Sequence, residues 1–201
     1  MFMKLNFILQ QLFHQTITFI ILKIIKKCTL IFRETPFNQF TFPVLLNAIE
    51  RHQLEREFDI KIFRQLSDLR CLIKTKPANI ILYSFMTPQI ENVLNEIRTI
   101  RSQLDKTDLL ICGGPHPTGN PESCFRMGFD IVFQGAAERT LPRFLSDYLN
   151  NTHEKQTLIK EDTPVLLDES FPLSSLSSFA PPLEITRGCC NRCKFCQTGQ
   201  T

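Results

Sequence analysis

The sequence predicts an α/β fold built on a doubly wound parallel sheet of five strands. From Cys28 onward, short apolar runs alternate with segments whose apolar residues repeat at helical spacing, an alternation typical of strand–helix–strand units. The two most apolar runs, Ile80–Tyr83 and Leu109–Ile111, suit central strands that are buried on both faces. Strands joined through helices lie parallel, with helices covering both faces of the sheet.

Each element is predicted from its local pattern. The strands are Cys28–Arg33, Asp59–Phe63, Asn79–Phe85, Asp108–Cys112 and Phe129–Phe133. The helices are Pro43–Leu54, Arg64–Thr75, Pro88–Leu104, Pro121–Met127 and Thr140–Asn150. The third helix is the clearest, because Val93, Ile97 and Ile100 fall on one face. Thr87 is its predicted N-cap and Pro88 its first residue.

These elements divide the chain into four segments. Residues 1–27 form an N-terminal extension, 28–150 the α/β domain, 151–181 a linker, and 182–201 the start of a second domain. The linker is predicted from a polar break at 150–155 and a stretch rich in Ser and Pro at 174–182. The extension is apolar, but polar residues interrupt it, which argues against a membrane span. It also has no small-residue signal-peptide cleavage site.

Composition narrows the class of protein. The chain has 201 residues, of which 43% are hydrophobic and 21% charged, as in a globular protein. A net charge of +3 without a concentrated basic face gives no indication of nucleic-acid binding. Four of the eight cysteines crowd into residues 189–196. This favours a metal site in a reducing, cytoplasmic location over a secreted disulfide scaffold.

The cysteine loop offers three soft thiolates at the spacing Cys189-x3-Cys193-x2-Cys196. Iron–sulfur clusters are held by such ligands, and three ligands on a four-iron cluster leave one iron open. Three alternatives compete. The cysteines would share one face of a helix, although Gly188 is poor helix material. A zinc knuckle needs a second ligand pair, which does not follow. A two-cluster ferredoxin needs further closely spaced cysteines.

The residues around this loop carry a family resemblance. The run from Glu184 to Gly199, which begins with a short strand at Leu183–Thr186, resembles the first strand and cluster loop of radical S-adenosylmethionine (SAM) enzymes. The resemblance implies that Cys189, Cys193 and Cys196 hold a [4Fe-4S] cluster, whose fourth iron SAM chelates before reductive cleavage to a deoxyadenosyl radical. It also implies that Phe195 lies near the SAM adenine and that Cys190 is not a ligand.

The first domain should bind its ligand beyond the carboxyl ends of the strands, near the point where strand order reverses. Gly113 and Gly114 follow the fourth strand, and two adjacent glycines let a flat ligand approach the backbone, although a tight turn is the simpler explanation. His116 is the one histidine placed at a strand's carboxyl end. It could touch such a ligand, or be a loop histidine bonded to backbone.

The spacing between the ends of the third and fourth strands carries a second family resemblance. Ser84-Phe85-Met86 is followed, after 26 residues, by Gly113-Gly114. This spacing resembles the Ser-x-Leu and Gly-Gly parts of the cobalamin (B12) binding signature. The likeness extends through 113–122 and 135–140, as in radical SAM proteins with an N-terminal B12-binding domain, and covers about residues 28–201. It implies a flavodoxin-like domain in which the residues beside cobalamin are Ser84, Thr87, Gly113, Gly114, His116 and Gly135.

Two departures qualify the resemblance. The slot for the Asp-x-His-x-x-Gly motif falls on Phe37–Phe42, with Gln39 where the axial histidine would be. Gly135 is followed by Ala136, Ala137 and Glu138, where the family commonly has Gly-Glu-Gly-Glu. Many members of the combined class lack the histidine and hold cobalamin without it, or have lost cobalamin. We therefore expect no protein nitrogen on the cobalt.

The functional expectation is the N-terminal part of a cobalamin-type radical SAM enzyme, such as a methyl transferase, supplied with electrons by a ferredoxin or flavodoxin. The sequence would then be cut just after the cluster motif and inactive by itself. One alternative is a methylthiotransferase-like radical SAM protein, which needs three cysteines at strand ends, where only Cys112 is so placed. Another is a non-catalytic flavodoxin-like binding domain with a structural metal knuckle.

Overall fold

The computed structural model describes residues 28–73 and 78–161, together with Asn191 and Cys193. Within these ranges the strands are β1 (Cys28–Arg33), β2 (Phe58–Phe63), β3 (Asn79–Ser84), β4 (Leu109–Gly113), β5 (Ile131–Gln134) and β6 (Thr157–Lys160). The α-helices are α1 (Thr41–Arg51), α2 (Leu66–Ile73), α3 (Ile90–Arg101), α4 (Pro115–Gly119), α5 (Pro121–Met127) and α6 (Thr140–Leu149). Single 3₁₀ turns lie at Leu54–Arg56 and Thr87–Gln89.

The strands form one parallel sheet in the order β2-β1-β3-β4-β5-β6. The chain moves from β1 to one side to make β2, then crosses back to place β3 on the other side of β1. The strand order therefore reverses between β1 and β3, where a doubly wound sheet opens a crevice at its carboxyl edge. This confirms the predicted parallel α/β fold.

Two apolar layers cover the two faces of the sheet. Helices α1 and α6 pack on one face, where Leu30 and Phe32 of β1 meet Leu46 of α1 and Phe144 of α6. Helices α2, α3 and α5 pack on the other face. Alternate residues of each central strand point to opposite layers, so Ile80 and Leu82 join the first core while Ile81 joins the second. This double burial explains the continuous apolar runs of β3 and β4.

The prediction of five strands was wrong by one, since the sheet has a sixth strand inside the segment predicted as a linker. Thr157–Lys160 pairs parallel to β5 at the edge of the sheet, and none of its residues is fully buried. A four-residue edge strand that follows a polar break carries too little apolar pattern to stand out. The α/β domain therefore continues past residue 150 to at least Glu161, whose amide donates to the carbonyl of Gln134 (3.0 Å).

Two buried carboxylates close the amino edge of the sheet. Asp108 accepts hydrogen bonds from the backbone amide of Asn79 (2.7 Å) and from its side-chain amide (3.0 Å). Asp130 accepts from both terminal guanidinium nitrogens of Arg101 (3.0 Å each) and from the amide of Leu110 (2.8 Å). These side chains satisfy backbone donors at the starts of β3 and β4. They stabilise the edge opposite the expected ligand site.

Several predicted features lie outside the described residues: the extension at 1–27, the strand Leu183–Thr186, most of the linker, Cys189, Cys196 and Phe195. Among the helices that are described, none is long and apolar enough to cross a membrane.

Candidate ligand-binding site at the carboxyl edge

Asn38 joins the two strands that flank the switch point. Its side-chain amide nitrogen donates to the carbonyl oxygens of Arg33, at the end of β1, and Ser84, at the end of β3 (2.9 Å each). Its Oδ1 accepts from the amide of Thr35 (2.7 Å). Asn38 is 4% exposed, so water does not reach its side-chain amide, and these protein groups satisfy its hydrogen bonds instead. The loop after β1 is thereby held against β3.

The predicted ligand-binding residues of β3 and β4 lie in direct contact with each other. Gly114 has φ +97°, and a Cβ built on it would lie 2.8 Å from Ser84 Oγ and 3.1 Å from the amide nitrogen of Phe85. The amide of Phe85 also donates to the carbonyl of Gly113 (3.3 Å). A Cβ on Gly113 itself would make only ordinary contact, 3.5 Å from Cβ of Phe133. The packing of the two loops thus leaves no room for a side chain at Gly114, whether or not a ligand lies above them.

His116 is buried, at 6% exposure, and its ring is held from three directions. Nδ1 bonds to Oγ1 of Thr87 (3.2 Å) and Nε2 bonds to Oγ of Ser123 (2.7 Å). The ring stacks on Phe85, with centroids 5.5 Å apart. Burial lowers the pKa of His116 below its ordinary value and favours the neutral imidazole. Both ring nitrogens bond to protein hydroxyls, so His116 would act on a ligand through these partners.

The contact between Thr87 and His116 corrects a sequence prediction. Thr87 was expected to cap the third helix, but the α-helix begins at Ile90 and Thr87 opens the preceding 3₁₀ turn. At the start of this turn, the backbone amide of Met86 donates to Oε1 of Gln89 (2.8 Å). The Thr87 hydroxyl points to His116 because the short helix α4 brings the histidine beside the loop after β3, where its amide donates to the carbonyl of Phe85 (3.1 Å).

The end of β5 is fixed between α4 and the end of β6. The hydroxyl of Thr118 accepts from the amide of Gly135 (3.1 Å), and its carbonyl accepts from the side-chain amide of Gln134 (2.8 Å). Gly135 has φ +90°, and a Cβ there would lie 2.5 Å from the backbone oxygen of Glu161. Only glycine fits this position. The expected site residues from β3, β4 and β5 therefore lie along one edge.

Charged groups at this edge are paired within the protein. Arg33 binds both carboxylate oxygens of Glu96 (2.9 and 2.6 Å), and its third nitrogen donates to the carbonyls of Glu34 and Arg64. Glu34, buried at the end of β1, forms an ion pair with Arg64. These bonds fix the ends of β1 and β2. A ligand at the switch point therefore meets backbone, hydroxyl and aromatic groups more than unpaired charge.

The loop after β1 presents aromatic surface to solvent. Phe37 is 70% exposed and Phe40 61% exposed, and Gln39 between them is also exposed. Thr35 in the same loop has a buried hydroxyl with no hydrogen-bond partner among the described residues. Exposed aromatic pairs and orphaned hydroxyls both have a free-energy cost that a bound ligand can offset. The axial-histidine slot thus contains an apolar loop and an exposed glutamine.

The cysteines described within the α/β domain do not form a metal site among themselves. Cys28 begins β1 at the amino edge, Cys71 is exposed on α2, and Cys112 is buried near the end of β4. Burial raises the pKa of the Cys112 thiol and raises that of Cys28 to about 11, which disfavours the thiolates that metals need. Within 28–73 and 78–161, no group of three or more His, Cys, Asp or Glu side chains could hold a metal ion. Of the three cysteines predicted to hold a cluster, Cys193 is the one that is described, and it is exposed.

Together these features define an open parallel α/β domain with its candidate site at a topological switch point. The family model of the B12 binding domain matches residues 44–145, half of this chain, and the chain belongs to that family. The N-terminal domain of a hypothetical protein from Thermotoga maritima is similar to it at 29% sequence identity, covering 61% of this chain and 90% of that one, with a TM-score of 0.45. Comparison with curated proteins finds no match.

Sequence reasoning missed three side chains that build this site: Asn38, Thr118 and Ser123. Each is a single polar residue in a loop or short helix, with no spacing pattern around it. Asn120 and Ser123 do carry a local signal, since Asn120 precedes Pro121 and its Oδ1 accepts from the Ser123 amide (3.2 Å) as the N-cap of α5. That signal predicts a helix start and says nothing of the contact with His116.

Proposed function

We propose that this chain binds cobalamin at the carboxyl edge of its sheet, as the B12-binding domain of a radical SAM enzyme. The observation that supports cobalamin best is the family match over 44–145, because that range contains the loops after β3, β4 and β5. When bound, cobalamin supplies a cobalt–carbon bond from which a methyl group can be transferred. The protein's part is to bind, orient and shield it.

The residues present fit such a ligand. The corrin ring is broad and flat, and the exposed rings of Phe37 and Phe40 offer apolar surface beside the switch point. The loop that carries them is fixed by Asn38, so this surface needs little ordering on binding. Gln39 stands where an axial histidine would be. We therefore propose that cobalt carries no protein nitrogen.

Binding can be tested with a pair of aromatic truncations. The double variant Phe37→Ala, Phe40→Ala should bind hydroxocobalamin about tenfold or more weakly, because each phenyl ring that a ligand covers contributes apolar burial. Ile62→Ala is the matched control: it removes another exposed apolar side chain, on β2 and outside this loop. Absorbance titration gives the affinities. Equal affinities for the wild-type chain and both variants would show that the loop does not contact the ligand.

The radical SAM assignment rests on the motif Cys189-x3-Cys193-x2-Cys196 and the sequence around it. Three thiolates would hold a [4Fe-4S] cluster with one iron left for SAM, and Phe195 would lie beside the adenine. An external ferredoxin or flavodoxin would supply the electron.

Counting iron and sulfide tests the cluster. Anaerobic reconstitution should give about four iron and four sulfide per chain. Replacement of Cys189, Cys193 or Cys196 by Ala should abolish this, while the adjacent Cys190→Ala provides the matched control and should leave it intact. Stoichiometric zinc without sulfide would support a structural knuckle instead. A second cluster would support the methylthiotransferase-like alternative, which the separated positions of Cys28, Cys71 and Cys112 do not favour.

A further inference from the structure

A chain of hydrogen bonds runs from the solvent-exposed Thr87, through the buried His116, to Ser123 at the start of α5. Thr87 Oγ1 lies 3.2 Å from Nδ1 of His116, and Nε2 of His116 lies 2.7 Å from Oγ of Ser123. Ser123 Oγ lies 2.8 Å from the carbonyl oxygen of Asn120. The groups come from the loop after β3, from α4, and from the start of α5. The imidazole of His116 connects the hydroxyl of Thr87 to that of Ser123.

The direction of each bond follows from the number of protons available. Ser123 has a single hydroxyl proton, and the carbonyl of Asn120 can only accept it. Ser123 Oγ must then accept from His116, which places the imidazole proton on Nε2. A neutral ring with its proton on Nε2 has a bare Nδ1, so Thr87 donates its hydroxyl proton to Nδ1.

This arrangement constrains what the exposed hydroxyl can offer. Because the Thr87 proton is donated to His116, the Oγ1 of this exposed residue can only accept a hydrogen bond from a ligand. The periphery of cobalamin carries acetamide and propionamide groups, whose N–H bonds are donors. The opposite tautomer would free the Thr87 proton and make the hydroxyl a donor, suited to a phosphate or carbonyl oxygen.

We propose that His116 is a positioning residue that presents Thr87 to cobalamin as a hydrogen-bond acceptor for an amide N–H of the ligand. This rests on the proposed function of the carboxyl edge. The ring cannot turn freely to reverse the bonds, because it stacks on Phe85 and its own backbone amide is held by the carbonyl of that residue (3.1 Å). Ser123 and Asn120 fix the end of this hydrogen-bond chain that lies opposite Thr87.

The first test needs no ligand. Nitrogen-15 NMR of the His116 imidazole in the full 201-residue chain, at a pH above 7, should show a neutral ring with the proton on Nε2. Thr87→Val should leave this tautomer unchanged, because Ser123 still sets it. A ring protonated on Nδ1 would overturn the inference whether or not cobalamin binds.

The second test uses two amides that each mimic half of the imidazole. His116→Asn retains an acceptor near the Nδ1 position for Thr87, whereas His116→Gln retains a donor near the Nε2 position for Ser123. We expect His116→Gln and Thr87→Val each to weaken hydroxocobalamin binding about three- to tenfold, the effect of losing one hydrogen bond. His116→Asn and Thr87→Ser, which keep the acceptor arrangement, should stay within about twofold of wild type.

A double variant separates positioning from simple packing. Thr87→Val combined with His116→Gln should bind no more weakly than Thr87→Val alone, since both remove the same contact. Additive losses, or equal losses for His116→Asn and His116→Gln, would overturn the positioning role. Wild-type affinity in Thr87→Val, an exposed substitution that should not disturb folding, would overturn this inference alone. No cobalamin binding by the wild-type chain would refute the proposed function and this role with it.

Discussion

Gly114 provides the sharpest test of how the loops after β3 and β4 fit together. Its backbone has φ +97° and ψ −172°, a region that side-chain-bearing residues almost never occupy. Its missing Cβ would point at Ser84 and Phe85. Gly114→Ala should therefore strain the backbone and separate the two loops. Gly113→Ala, one residue earlier, should do neither.

The magnitude follows from two contributions. Holding an L-residue at this φ and ψ costs about 1–3 kcal/mol. The new Cβ would lie 3.1 Å from the amide nitrogen and 3.2 Å from the carbonyl oxygen of Phe85, backbone atoms that cannot rotate away, and overpacking of this kind costs about 1–3 kcal/mol. The free energy of unfolding should fall by about 2–6 kcal/mol, a large part of the 5–15 kcal/mol of a typical domain.

Urea denaturation followed by circular dichroism measures this loss as a lower midpoint at unchanged slope. Gly113→Ala is the matched control, because its Cβ would make only ordinary contact with Phe133, 3.5 Å from Cβ and 3.9 Å from the backbone oxygen. It should change the free energy of unfolding by less than about 1 kcal/mol. The packing argument fails if Gly114→Ala is as stable as the wild-type chain, or if both alanines cost the same.

Three further predictions concern other parts of the domain. Asn38→Ala should lower the free energy of unfolding by about 2–4 kcal/mol in the same assay, because three partly buried backbone groups lose their partner; a loss below about 0.5 kcal/mol would contradict its role as a bridge. Burial lowers the pKa of His116, so near pH 6 the unfolded chain binds more protons than the folded chain. The free energy of unfolding should therefore be highest above the unfolded pKa of about 6.5 and should fall as the pH drops below it. His116→Gln should reduce the dependence of the free energy of unfolding on pH. His153→Gln should reduce it further, because burial and Lys155 lower the pKa of His153 as well. An unchanged pH dependence in the double variant would contradict the assignment. A chain beginning at Lys26 should fold as well as the full chain, because β1 starts at Cys28 and pairs with β2 and β3; aggregation of the shorter chain alone would show that residues 1–25 cover apolar surface.

Much of the sheet could be predicted because its inner strands β1, β3, β4 and β5 are buried on both faces. Cys28–Arg33 and Pro121–Met127 match the sequence prediction residue for residue, and β3 differs only in that Phe85 follows the strand. The prediction missed β6, which packs only partly against the core, and α4, which contains Pro115, Pro117 and Gly119. Residues that rarely form helices fold into α4 because its ends are tied to the loop after β3 and to β5.

The candidate site could be predicted in position but less well in its chemistry. Strand-end spacing located Ser84, Gly114, His116 and Gly135 on one edge of the sheet. It could not show that Gly114 is required by Phe85, or that both nitrogens of His116 bond to hydroxyls. These contacts depend on residues far apart in sequence, as does the bridge from Asn38 to Ser84. Only the three-dimensional arrangement brings such polar groups together.

The most direct test of the central claim is electron paramagnetic resonance of the full chain loaded with Co(II) cobalamin. With Gln39 in the axial-histidine slot and His116 held by Thr87 and Ser123, we predict bound cobalamin whose cobalt signal shows no nitrogen hyperfine splitting from an axial ligand. This requires the nucleotide tail of cobalamin to be displaced from cobalt. Splitting from a protein imidazole would contradict the proposed coordination. Failure to bind cobalamin at all would contradict the account as a whole.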